Sequence, residues 1–213
     1  MGTAFVAGEA QHGDVTPVNG AANITQVFWI RLRALTIGHM SAKGRAAVAG
    51  YPFLFYTAGD GTGLTWDHSA GNTITTANGQ LVLNSYIHIA WTYAAGTIRL
   101  YKNGVEITNG VLGVALNSNA LSLSFAANNI GGSPLDADFS YIRMWSVALS
   151  PGEIISEMQH RVIVRTTNVI LNLPYNDPPT LADISGNGWN AVQVNGDTLT
   201  DSPRLRPLAG VLS

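Results

Sequence analysis

Tyr86-Ile87-His88-Ile89-Ala90-Trp91-Thr92-Tyr93, then Thr97-Ile98-Arg99-Leu100-Tyr101-Lys102, then Asn103-Gly104 and Val105-Glu106-Ile107, is the stretch that decides the fold. Both long runs are dominated by β-branched and aromatic residues, which suit a pleated, half-buried surface. Asn103-Gly104 supplies the two positive φ angles that a type I′ turn needs, and that turn carries the twist of two antiparallel strands. The stretch predicts a β-hairpin.

Outward from this hairpin the same grammar repeats. Ile24, Val27, Trp29, Ile30 and Leu32 sit among Thr25, Gln26, Arg31 and Arg33, as in a strand with one buried face. Pro52 to Thr57 is a compact aromatic run, and Gly63 to Asp67 follows it after Gly59-Asp60-Gly61. Further strands are expected at Leu121 to Phe125, Phe139 to Trp145, Val169 to Leu173 and Trp189 to Val194. A single helix is expected from Ser150-Pro151-Gly152-Glu153, where a capping serine, a proline at the first helical position and a glutamate three residues after the cap coincide. It should run to about His160 and dock on the sandwich edge through Ile154, Ile155 and Met158.

Composition agrees with an all-β chain that folds on one large core. Of 213 residues, 46% are hydrophobic and only 11% charged, which separates the chain from disordered sequences. Twenty-three Gly and nine Pro punctuate short apolar runs along the whole length. No period or low-complexity linker divides residues 1–213, so one domain is expected. Residues 1–20 and the Pro-rich residues 201–213 read as arms. Without cysteine there is no disulfide framework, and stability must come from packing. A net charge of −2 with scattered basic residues offers no footprint for nucleic acid, and no apolar stretch is long enough to span a membrane.

Three segments together carry a family resemblance. The hairpin at 86–105 is similar to a "W-H-V-A-x-T-Y-(D)-G-T-x-R-L-Y-V-N-G" pattern, with Tyr86 where Trp is usual. Phe139 to Ser150 with Glu153-Ile154 is similar to "I-D-E-V-R-I-Y-N-R-A-L-S-x-x-E-I", and Asp183-Ile184-Ser185-Gly186-Asn187-Gly188 to "D-x-S-G-N-G". These segments resemble the laminin-G-like, or concanavalin-like, jelly roll. The resemblance implies a two-sheet antiparallel β-sandwich, and a family that hosts lectins, adhesion modules, glucanases and virion proteins alike, so fold alone does not select a function.

Catalytic signatures are missing from the sequence. The Glu-x-Asp-x-x-Glu motif of glucanases with this fold does not occur, nor do Gly-x-Ser-x-Gly, a phosphate loop or a zinc helix. The close pair Glu153 and Glu157 is read as lying on a surface helix, and the chain is expected not to be an enzyme. Binding residues can still be nominated. Tyr56, Trp66 and Trp189 sit near turns and could stack on sugar rings, although core packing accounts for aromatic residues in strands as well. Several laminin-G-like modules bind calcium, which makes Asp183 and Asn187, and Asp136 and Asp138, the metal candidates; the competing reading is that Asp183 and Asn187 only shape a tight turn.

Two functions follow. The first is a non-catalytic virion structural protein, such as a phage capsid-decoration or tail-surface protein. It would assemble in the host cytoplasm through contacts with capsid or tail subunits and form a homo-oligomer. It rests on a fold that usually acts outside cells appearing with Met1 at its start, no export signal and no cysteine. The alternative is a carbohydrate-binding, lectin-like module that recognises a glycan.

Overall fold

In the computed structural model, residues 3–5, 9–45, 49–69, 71–128, 132–174 and 182–194 are described. Among them are strands β1 (Thr3–Phe5), β2 (Glu9–Gln11), β3 (Asn23–Leu32), β4 (His39–Lys43), β5 (Phe53–Ala58), β6 (Gly63–His68) and β7 (Asn72–Thr75). They continue with β8 (Ile87–Ala94), β9 (Thr97–Lys102), β10 (Val105–Val111), β11 (Leu123–Phe125) and β12 (Ala137–Trp145). After helix α1 (Pro151–Gln159) come β13 (Val169–Leu173) and β14 (Val192–Val194).

The strands form two antiparallel sheets. The first has the order β1-β12-β3-β8-β9-β10 with β13 beside β12, and the second the order β14-β2-β11-β4-β5-β6-β7. The expected β-sandwich is therefore present. β8 pairs with β9 from Ile89↔Lys102 to Ala94↔Thr97, and β9 turns into β10 through Asn103 (φ 50) and Gly104 (φ 80), the two positive angles of the predicted turn.

Side chains alternate as the pleat demands. Phe28, Ile30, Ile89, Trp91, Leu100 and Phe139 of the first sheet meet Met40, Phe53, Phe55, Leu64 and Trp66 of the second in one buried cluster. Phe28 and Phe55 lie 6.2 Å apart between ring centroids, and Trp66 and Trp91 5.8 Å. One polar group crosses this apolar layer. Gln26 is fully buried, its Oε1 accepting from Trp91 Nε1 (2.8 Å) and from Ser41 Oγ (2.7 Å), so β3 of one sheet is tied to β4 of the other.

The helix forms as its capping box requires. Ser150 Oγ accepts from the Glu153 N–H, while the Glu153 carboxylate accepts from the Ser150 N–H at 2.8 Å. It docks on the outer face of the first sheet and not on an edge. Ile154 joins Val27, Ala90, Tyr101, Trp145 and Leu149 in a second buried cluster, because those strand residues point away from the main core. Ile155, expected beside it, is 39% exposed. Glu157 is likewise no surface residue: it is buried and bonded to Arg143 of β12.

Within the expected N-terminal arm, residues 9–20 are packed on the sandwich. β2 pairs with β11 and β14, Val15 and Val18 are fully buried, and Asp14 accepts from the buried Lys43 ammonium at 2.6 Å. Apolar spacing in 9–20 is too irregular to show this, because the segment is held by one short strand and single anchors. The C-terminal arm at 201–213 lies outside the described residues.

Candidate functional site

The outer face of the second sheet carries a concavity that joins aromatic, charged and apolar groups. On β5 the alternation sends Phe53 and Phe55 into the core and Leu54 and Tyr56 outward. Register then sets the neighbours: Tyr56 is opposite His39 of β4, and Leu54 is opposite Asp67 of β6. With Ile37, Gly38 and Ser133 from the flanking loops, these side chains line a pocket of about 220 Å³.

The loops are held to the strands by named bonds. Gly38 N–H donates to Thr57 Oγ1 (2.9 Å), and Thr57 Oγ1 donates to the Thr36 carbonyl (2.6 Å). Gly38 itself has no room for a side chain, since a Cβ would fall 2.6 Å from the Pro134 carbonyl oxygen. Loop and loop are packed backbone to backbone there.

Within the pocket the His39 and Tyr56 rings are tilted together, 5.5 Å between centroids. Burial pulls the His39 pKa below its ordinary value, so its imidazole is neutral at pH 7. Asp67 is the pocket's one carboxylate. Its Oδ2 accepts from Tyr51 Oη and its Oδ1 from Thr73 Oγ1, both at 2.8 Å. Burial, and then the negative charge of Asp67, raises the pKa of both Tyr51 and Tyr56, keeping both phenols protonated. The arrangement offers a ring face, a polarised carboxylate and an apolar floor, which is the chemistry of binding; no nucleophile with an adjacent base and no opposed pair of carboxylates is built here.

Of the nominated aromatic residues, only Tyr56 belongs to this pocket. Trp66 is fully buried, stacked on His68 and Tyr93 between the sheets, and cannot reach a sugar. Its partner in register is the inward-facing Phe55, which fixes its direction. Trp189 is half-buried against the main core, and its carbonyl is bonded to His12 Nδ1 at 2.8 Å. It precedes β14 at the opposite edge of the sheet, so the three rings are not brought together.

Three of the four calcium candidates, Asp183, Asn187 and Asp138, are engaged by protein groups. Asp183 Oδ1 accepts from the N–H groups of Asn172 and Ser185, and Oδ2 from Ser185 Oγ and the Trp189 N–H. Asn187 Nδ2 donates to the Val169 and Ile170 carbonyls. These residues shape a turn and clamp it to β13, and the oxygen spacing that suggested a cation is the spacing of that clamp. Asp138 is 1% exposed with Arg31 on one oxygen and Arg33 on the other, so two guanidinium groups stand where calcium would have to enter. Asp136, half-buried, uses its carbonyl to accept from the Arg33 N–H. Among the described residues no group of three or more His, Asp or Glu is placed to hold a metal ion, and no helix is long and apolar enough to cross a membrane.

Comparison with known proteins adds the following. The profile of the concanavalin A-like lectin/glucanases superfamily matches residues 6–155. A solved candidate carbohydrate binding protein from Bacteroides ovatus superposes with a TM-score of 0.74 at 16% identity, covering 93% of this chain and 59% of its own. The chain thus spans about three fifths of that protein's length. A heptameric SAP-like pentraxin from Limulus polyphemus superposes with a TM-score of 0.51 at 15% identity, covering 71% of this chain and 72% of its own. The binding domain of Paraclostridial Mosquitocidal Protein 1 gives 0.50 at 17% identity, covering 63% of this chain and 36% of its own. No curated protein matches the sequence. At these identities the superpositions show a shared fold.

Proposed function

The chain belongs to the concanavalin A-like lectin/glucanases superfamily, and from that premise we propose that it is a non-catalytic carbohydrate-binding module whose pocket is lined by Tyr56, His39, Leu54 and Asp67. One observation carries the reading: an outward aromatic ring and a carboxylate converge on a small apolar concavity. Sugars have apolar C–H faces that pack on rings and hydroxyls that donate to carboxylates, so this pair of groups suits them. The similarity to a candidate carbohydrate binding protein supports the same reading. The virion function set out from the sequence draws no support from these similarities, and the lectin-like alternative takes its place.

Titration calorimetry against a panel of soluble oligosaccharides tests the proposal. Saturable binding by the full chain, lost in Tyr56→Ala with an unchanged melting temperature, is the expected result. Binding that survives Tyr56→Ala unaltered would move the site elsewhere on the molecule.

A further inference from the structure

Among the described residues Asp67 lines the pocket without a counter-charge. Its two oxygens are met only by hydroxyl groups, and among the described residues no Lys or Arg lies within ion-pair distance of it. The other pocket residues add no positive charge: none is basic except His39, which burial holds neutral at pH 7. Other carboxylates of the described residues are met in different ways: Asp183 is satisfied by neutral donors alone and Asp136 Oδ1 has no partner, whereas others are paired with bases. Asp138 has two arginines, Glu157 has Arg143 and Asp14 has Lys43. What sets Asp67 apart is its place: its charge lines a concavity beside an aromatic ring, where a cation from outside can reach it.

Leu54, buried beneath Tyr56, and the rings of Tyr56 and His39 lower the local dielectric around that charge, which strengthens its attraction for a positive group. The π face of a tyrosine adds to this, since its quadrupole is negative toward the ring centre. Resting on the carbohydrate reading, we infer that the pocket selects an amino sugar, taking the protonated amine of a hexosamine unit against Asp67 while the sugar's C–H face lies on Tyr56. An acidic sugar is repelled by the same carboxylate.

The test compares two oligosaccharides that differ only at C2, a β-1,4-linked hexamer of glucose and the corresponding hexamer of glucosamine, with the N-acetylated hexamer and a galacturonate hexamer as further arms. A charge-assisted hydrogen bond contributes about 1.5–3 kcal/mol, so binding of the glucosamine hexamer at pH 7 and low salt should be about tenfold tighter or more than that of the glucose or N-acetylated hexamer. The preference should collapse in Asp67→Asn, whose amide is isosteric, and shrink as salt rises. The melting temperature of that variant is measured alongside. Equal binding of the neutral and amine-bearing hexamers, or a preference that survives Asp67→Asn, overturns the amine selection while leaving a carbohydrate module intact. Tighter binding of the galacturonate hexamer overturns it as well. Binding of no sugar in any arm overturns the carbohydrate reading and this inference with it.

Discussion

Arg143 of β12 donates through Nη1 to Glu157 Oε2 of α1 at 2.7 Å, with each side chain only 1% exposed. The guanidinium also donates to the carbonyls of Glu157, His160 and Arg161, and Glu157 Oε1 accepts from the N–H groups of Val164 and Arg165. Burying two opposite charges is costly unless nearly all their hydrogen-bonding capacity is used, and here most of it is.

Removing one partner strands the other. Glu157→Ala should destabilise the fold by about 3–5 kcal/mol, and Arg143→Met alone by a similar amount. The double substitution should cost clearly less than the sum of the two, a coupling that a denaturant double-mutant cycle measures.

Gln26 is the polar tie between the sheets. Gln26→Leu leaves the Trp91 indole N–H and the Ser41 hydroxyl without their acceptor inside the core, at a cost of about 1–3 kcal/mol each. Chemical denaturation should show a lower midpoint with an unchanged slope. The Trp91 contribution to fluorescence should shift as its indole environment changes.

Acid should weaken the fold through two histidines. Burial lowers the pKa of His12 to about 4 and that of His88 to about 3, the latter with help from the charge of Arg143. Both rings are neutral in the folded chain, whereas in the unfolded chain they bind protons below about 6.5. The folded form is therefore favoured in full above pH 6.5, and the advantage drains away as pH falls toward 4 and then 3. Melting temperature measured from pH 7.5 to 4 should decline, and His88→Gln should flatten part of that decline.

Tyr56 and Trp66 should behave oppositely although each sits near a turn. Trp66→Ala opens a cavity between the sheets and should cost about 3–5 kcal/mol. Tyr56→Ala removes a half-exposed ring and should leave the melting temperature within a few degrees while abolishing binding.

What the sequence could reveal depended on how local its cause was. The Asn103-Gly104 turn and the Ser150 capping box are decided within a few residues, and both stand where they were predicted. The direction of Trp66 is set by its pairing with Phe55, which no local pattern displays. The same holds for the pocket: Tyr56 was nominated, but His39 and Asp67 were not, because they join it through the registers of β4 and β6. Asp183 misled for a chemical reason, since a turn clamp and a cation loop both put oxygens at alternate positions. Glu157 misled because its partner lies in a strand fourteen residues earlier.

The helix roofs one side of the sandwich, and the pocket opens on the other. The molecule consequently has a front and a back. Anchoring it through an exposed position on the roof, such as Gln159, would orient every copy with its mouth toward solution, whereas attachment near Thr73 would muzzle it.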